Sequence, residues 1–524
     1  MTSALRNRGP DGAGEYVDGP VGLFHTRLAV VDQRVTSNQP LLSPDGQLIL
    51  ICNGEIYNYQ ELLQELNYPY QSSSDCEAVL AVYHAEGVRG FRRLRGMFSF
   101  GLYDRTQGRV IVYRDAVGKK PLFSYASHEA FLFSSSVTAI RQNTPGPLTV
   151  DPEAVASYIA DGYIRPDRSL YREIRPVLPG HLMALDVRTG HVTTSYLAPE
   201  TTSSEKLPEE DSAMAREIGR LLEQSVERRV RGLQQPVLLF SGGIDSTVLA
   251  KHLARLAPRR VTCLALRPVV LGTQDEPYGR YAARRLGLNY LRVGLPLRTL
   301  KTNIDFAIGL LDQPLAVYAY YLMTYLARQA REFGNVLFTG DGGDEAFYGY
   351  ERIRDWFAPD TKPVAEPEYQ VGPPYPADLS AWGRRQVGEG LLGHAFVKVD
   401  KATAEQQMET RCPYLDWDLM AFLRRIPSRL FLASVTTKPL LKTELAGFPA
   451  WFVRRRKLGT TFNFRYLVWP FYHQMRREID GQRLARWGVT VPALPPSRLG
   501  MFRQFDRVWR WYVLSKFLAY EEGR

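Results

Sequence analysis

At 524 residues, 45% of them hydrophobic and 23% charged, the chain is too long for one hydrophobic core and too apolar to be disordered, so two globular domains are expected. No apolar run reaches the roughly 18 residues of a membrane span, and the opening Met-Thr-Ser-Ala-Leu-Arg lacks a signal peptide's apolar stretch, which predicts a cytoplasmic protein with no membrane partner. A net charge of +11 suits nucleic acid, ATP and anionic small substrates alike and by itself selects none of them.

From Val21 to Tyr196 the sequence reads as short β-rich runs: Gly22 to Val31, Gln47 to Cys52, Met97 to Tyr103, Val110 to Arg114 and Ala130 to Ser134. Short strands in succession predict an antiparallel, layered domain over residues 1–198. Residues 199–212 turn polar and lose periodicity, as a linker does.

Over residues 213–524 the period changes. Apolar runs at Pro236 to Phe240, Val261 to Leu266, Asn289 to Val293 and Asn335 to Phe338 alternate with helical patterns after Ser246 and from Tyr278 to Leu286. Such alternation predicts a parallel sheet covered on both faces, with ligands bound at the carboxyl ends of its strands. The proline-rich stretch Pro359 to Pro376 reads as a mobile surface loop, and aromatic helices around Trp509 to Tyr520 close the chain. Four scattered cysteines, Cys52, Cys76, Cys263 and Cys412, have neither disulfide-framework nor zinc-ligand spacing and read as reduced structural thiols. No zinc finger or stacking-aromatic motif supports a nucleic-acid partner.

Two glycine turns carry the chemistry. Ser241-Gly242-Gly243-Ile244-Asp245-Ser246 follows a strand and opens a helix, the context in which backbone N–H groups and hydroxyls bind phosphate. Asp245 would repel a phosphate unless a cation lay between them, which argues for Mg²⁺. No lysine follows in the GxxxxGK[ST] arrangement, so this is not the usual NTPase loop. After Phe338 comes Thr339-Gly340-Asp341-Gly342-Gly343-Asp344-Glu345, again at a strand's carboxyl end. Three carboxylates on one glycine turn repel each other, and a divalent metal held by Asp245 and Asp344 would neutralise them.

Together these loops resemble those of the PP-loop ATP pyrophosphatases, and the surrounding residues narrow the resemblance to the asparagine synthetase family. It covers nearly the whole chain. It rests, in the family's order, on Arg8-Gly9-Pro10-Asp11-Gly12, Asn53-Gly54-Glu55-Ile56-Tyr57-Asn58, Arg114-Asp115 with Gly118-Lys119-Lys120-Pro121-Leu122, the Ser241 and Asp341 loops, Lys398-Val399-Asp400-Lys401, and Arg411-Cys412-Pro413-Tyr414-Leu415-Asp416. The resemblance implies an N-terminal domain like an N-terminal-nucleophile (Ntn) hydrolase acting as a glutaminase, and a C-terminal PP-loop domain that adenylates aspartate or a related acid. ATP and Mg²⁺ are the implied cofactors, glutamine or ammonia the nitrogen source, and a homodimer the family's habit. By matching motifs, Ser241, Gly242, Gly243, Asp245 and Ser246 would hold pyrophosphate, Leu239 and Gly340 would line the nucleotide pocket, and Asp245 and Asp344 would ligate the metal. Lys457 would be the catalytic lysine, and Asp341 would assist amine deprotonation.

The family's glutaminase uses an N-terminal cysteine thiol. This sequence begins about where the family reads Met-x-x-x-Leu ahead of His-Arg-Gly-Pro-Asp, so that cysteine does not appear. As written, the chain is expected not to hydrolyse glutamine, and Met1 is read as an internal methionine of a longer protein, with loss of the nucleophile as the other explanation. Matches to the glutamine pocket remain: Arg27 for the α-carboxylate, Asn53 and Gly54 for the oxyanion hole, Glu55 and Asp75 for the α-amine. In the acceptor region, Tyr318, Tyr320 and Tyr321 either pack a helix or line a pocket for an acceptor bulkier or less charged than aspartate. The second case would fit a specialised amidotransferase or an intramolecular amide ligase. The β-lactam-forming members carry a tyrosine where Asp341 stands, which argues against that branch. A catalytically silent scaffold is the remaining alternative.

Overall fold

A computed structural model describes residues 2–200, 206–267, 276–350, 396–427, 429–432, 437–455, 464–491, 494 and 504–523. The stretch expected as a mobile loop, Pro359 to Pro376, lies outside the described residues.

The sheets of the N-terminal half are antiparallel. Strands β1 (Gly12–Asp18) and β2 (Val21–Arg27) form a hairpin. A six-stranded sheet runs in the order β11-β10-β6-β5-β4-β3, built from β3 (Leu41–Leu42), β4 (Leu48–Ile56), β5 (Gly96–Asp104), β6 (Arg109–Arg114), β10 (His181–Asp186) and β11 (Val192–Tyr196). A smaller sheet, β8-β7-β9, joins β7 (Phe123–Ala126), β8 (Phe131–Ser134) and β9 (Ile174–Pro176). The two-residue period of a strand explains why the large sheet is buried on both faces. Along β4, Leu48, Leu50 and Cys52 enter one core with Val79 and Val82 of the Glu77–Glu86 helix, while Ile49 enters another with Val110 and Val112 of β6. β2 ends at Arg27 rather than Val31. The Arg27 guanidinium donates to the carbonyls of Asp32 and Arg34 and to Asn38 Oδ1, and so ties the chain into a loop where the apolar pattern alone predicts more strand.

The C-terminal half holds a five-stranded, wholly parallel sheet in the order β14-β13-β12-β15-β16. Its members are β12 (Val237–Leu239), β13 (Thr262–Arg267), β14 (Asn289–Gly294), β15 (Val336–Phe338) and β16 (Glu409–Arg411). The expected division between antiparallel layers and a covered parallel sheet is therefore present. Alternate residues of β15 face opposite cores: Leu337 packs with Val237, Tyr320 and Trp509, and Val336 and Phe338 pack with Leu238 and the buried face of the Asp211–Val230 helix. Because β13 and β15 lie on opposite sides of β12, the strand order reverses between β12 and β15. That crevice is where an open parallel sheet accepts ligands.

Tyr318, Tyr320 and Tyr321 pack the core instead of lining a pocket. The Tyr320 hydroxyl donates to the Ala307 carbonyl at 2.9 Å, Tyr321 donates to Leu315 at 2.7 Å, and Tyr318 stacks on Phe464 at 5.0 Å. All four cysteines are free and buried. Among the described residues no helix is long and apolar enough to cross a membrane.

The two halves meet through buried charge. Arg8 Nη2 lies 2.7 Å from Asp400, Lys120 Nζ lies 2.8 Å from Glu409 and 3.5 Å from Asp400, and Arg95 Nε lies 3.1 Å from Asp418. Removing one partner of such a pair strands the other in low dielectric. Asp400→Asn, which leaves Arg8 and Lys120 short of a counter-charge, is expected to lower the unfolding free energy by about 3–5 kcal/mol. Urea denaturation of both proteins measures this, and an unchanged midpoint and slope would contradict it.

Candidate active site

The loops after β12 and β15 lie side by side at the reversal of strand order. A Cβ on Gly340 would sit 3.2 Å from Asp245 Cβ, so the second loop packs directly against the first. Gly242, at φ +79°, turns the chain from β12 into the Ile244–Leu256 helix, a conformation that glycine adopts without strain. The Gly243 N–H donates to Ser241 Oγ at 3.1 Å, Ser241 Oγ and Ser246 Oγ are 3.3 Å apart, and Thr247 Oγ1 donates to the Gly243 carbonyl at 2.8 Å. Two hydroxyls thus converge on a glycine turn at a helix start. Leu239, the last residue of β12, is half-buried directly behind it.

Asp245 and Asp344 converge on one cation. Lys438 Nζ is 2.6 Å from Asp344 Oδ1 and is also paired with Asp245 Oδ1, with the lysine side chain only 3% exposed. Here an ammonium stands in for the divalent ion expected between these carboxylates. Among the described residues no three His, Cys, Asp or Glu side chains converge as a metal cage. The donor set instead fits Mg²⁺, which typically takes one or two carboxylates and completes its shell with water and phosphate oxygens. Further basic groups stand beside the glycine turn. Arg455 donates to the Gly242 carbonyl, and Lys442 is pushed down to about 8 by burial and by repulsion from Lys438 and Arg455.

Asp341 is held apart from that pair, 3.0 Å from Lys398 Nζ. Burial opposes its charge, but Lys398, the Thr339 hydroxyl and Lys119 outweigh burial and keep it below the usual carboxylate range. Gly342, at φ +91°, carries the chain on to Asp344; a Cβ there would overlap the Leu415 side chain. Lys457 lies outside the described residues.

In the N-terminal half Arg27, Asn53, Gly54, Glu55 and Asp75 all line one cavity. Gly54, at φ +141°, must be glycine, since a Cβ would collide with the Met97 carbonyl and Phe98 Cα of β5. Asn53 Nδ2 is buried with no hydrogen-bond partner among the described residues. His25 places Nε2 3.2 Å from the Cys52 carbonyl and is pushed down to about 4 by burial, aided by Arg27, so it is neutral near pH 7. The Glu55 carboxylate is gripped through both oxygens by the Arg411 guanidinium from β16. Arg411 accepts the Thr339 N–H at its carbonyl at 3.1 Å, so one residue touches both the cavity wall and the first residue of the Asp341 loop.

Sequence reasoning missed Lys438. Nothing in Thr437-Lys438-Pro439 spaces that lysine from Asp245, which stands 193 positions earlier. Lys398 and Arg411 fall inside motifs that were recognisable, but only the fold shows which carboxylates they face.

Comparison with known proteins supplies relatives. The profile of the glutamine amidotransferase domain matches residues 1–197, and that of asparagine synthase matches residues 217–385 and 377–491, more than half of the chain. A Mycobacterium tuberculosis protein provisionally named asparagine synthetase [glutamine-hydrolyzing] is 28% identical over an alignment of 555 positions, spanning 88% of this chain and 83% of its own. The Bacillus subtilis asparagine synthetase [glutamine-hydrolyzing] 1 is 23% identical over 560, spanning 92% and 85%.

Asp75 offers a pH signature for the cavity. Burial, reinforced by the Glu55 charge, lifts its carboxyl from an ordinary 3.8 to about 7. The folded protein therefore holds a proton that the unfolded chain releases. Its stabilising contribution is complete below about pH 3.8 and is lost as pH rises through 7. Asp75→Asn should flatten the pH dependence of unfolding free energy across that window relative to wild type; parallel curves would contradict the assignment.

Proposed function

The chain belongs to the asparagine synthase family, and on that premise we propose that it uses ATP to convert the side-chain carboxylate of aspartate into an amide. The observation that carries this reading is the convergence of Asp245 and Asp344 on one cation beside a hydroxyl-lined glycine turn at the sheet's reversal point. The carboxylate oxygen attacks the α-phosphorus, pyrophosphate leaves, and ammonia displaces AMP from the mixed anhydride.

In this reading Ser241, Gly242, Gly243 and Ser246 hold the departing pyrophosphate through N–H and O–H donors, while Lys442 and Arg455 balance its charge. Leu239 and Gly340 flank the nucleotide. Asp245 and Asp344 would hold Mg²⁺, which when bound supplies positive charge to the phosphate oxygens. Asp341, kept ionised beside Lys398, is placed to accept a proton from the incoming amine. To Lys457 we assign the positive charge that meets the pyrophosphate as it leaves. We divide the chain into an amidotransferase unit at 1–198, a linker at 199–212 and a synthetase unit at 213–524. The cavity with Arg27, Asn53, Gly54, Glu55 and Asp75 is assigned to glutamine, so that nitrogen comes from glutamine or from free ammonia. Four reduced thiols accord with a cytoplasmic setting. The tyrosines near 320 serve as core and so lend no support to an acceptor bulkier than aspartate.

Asp344→Ala should lower AMP formation from Mg-ATP, aspartate and ammonium on the order of 100-fold or more, measured by mass spectrometry. Turnover retained in that variant would sink the assignment.

A further inference from the structure

Lys438 enters the carboxylate notch from a separate part of the chain, just ahead of the Pro439–Lys442 helix. Three features show that the fold builds this placement. The residue stands at φ +57°, a left-handed conformation that is unfavourable for a non-glycine residue. Its stem passes Gly349, where a Cβ would overlap both Lys438 Cε and Asp344 Oδ1. Leu440 and Leu441, directly after it, are buried in the core that also takes Leu249 and Leu253 of the Ile244–Leu256 helix, which fixes the lysine's base to the element that carries Asp245.

The ammonium uses the Oδ1 atoms of both aspartates. A metal ion bound through those same oxygens needs the ammonium moved away, and an ammonium buried without a counter-charge is costly. Lys438 therefore opposes metal entry unless it gains another anion as it leaves. The phosphate-side turn at Ser241 to Ser246 adjoins this notch, with Lys442 and Arg455 close by. A polyphosphate held there offers Lys438 new oxygens within reach of its flexible stem.

Resting on the reading that Asp245 and Asp344 take a divalent cation, we propose that Lys438 is a tethered counter-ion that keeps this pair closed to free metal and yields it when a polyphosphate draws the ammonium away. Metal and nucleotide then bind as a coupled unit, each raising the other's affinity by the same factor.

The test titrates the full chain with Mn²⁺ and reads free Mn²⁺ by electron paramagnetic resonance, with and without a non-hydrolysable ATP analogue. Wild type should bind Mn²⁺ at least ten-fold more weakly without nucleotide than with it. Lys438→Met should tighten nucleotide-free binding about ten-fold and shrink the nucleotide effect, whereas Lys438→Arg, which keeps the charge, should stay weak. Lys438→Gln, which also removes the charge, should likewise tighten nucleotide-free binding, which covers the case in which Lys438→Met does not fold. Nucleotide-free affinity in folded Lys438→Met or Lys438→Gln no tighter than wild type overturns the proposal while leaving the metal assignment standing. Absence of stoichiometric Mn²⁺ binding in wild type with nucleotide present overturns both.

Discussion

Two half-buried aspartates sharing one positive charge are the constraint around which the C-terminal half is arranged. Asp245 and Asp344 come from loops far apart in sequence, and they meet only because β12 and β15 are neighbours in a parallel sheet whose order reverses between them. Their mutual repulsion in a half-buried setting demands a cation. The glycines on either side, Gly242 at the first loop and Gly342 at the second, let the chain turn tightly enough for the carboxylates to converge without Cβ collisions. In the proposed reading, phosphate binds within the same geometry, because a glycine turn at a helix start supplies donors beside the charge.

The interface between the halves repeats that logic. Glu55 on the cavity wall and Arg411 on β16 form a buried pair, with side chains 5% and 3% exposed, and Arg411 is hydrogen-bonded through its backbone to Thr339 at the start of the Asp341 loop. Together with the Arg8–Asp400 and Lys120–Glu409 pairs, this makes the contact between the halves a layer of matched charges rather than a purely apolar seam. Matched buried charges are specific, since a shift that unpairs one of them costs several kcal/mol. The cavity wall and the Asp341 loop are therefore tied together through Arg411.

Much of this was legible in the sequence. The two-residue alternation of Leu48 to Cys52 and the apolar runs at Val237 and Val336 announce strands, and each glycine turn sits where the strand ends. Periodicity and turn chemistry are local properties, which is why they can be read without coordinates. Three things could not be read in this way. The end of β2 at Arg27 depends on a guanidinium folding back on its own loop. The fate of Tyr318, Tyr320 and Tyr321 depends on which helices cover them. Lys438 depends on a contact 193 positions distant in the chain, made by a residue type that composition assigns to the surface.

The central claim is that ATP activates a carboxylate by adenylation at these loops. Aspartate labelled with ¹⁸O in its side-chain carboxylate, incubated with the protein, Mg-ATP and ammonium, tests it directly. Adenylation predicts that one labelled oxygen appears in AMP as asparagine forms. Label found in inorganic phosphate with ADP as the nucleotide product, or asparagine formed with unlabelled AMP, would contradict it.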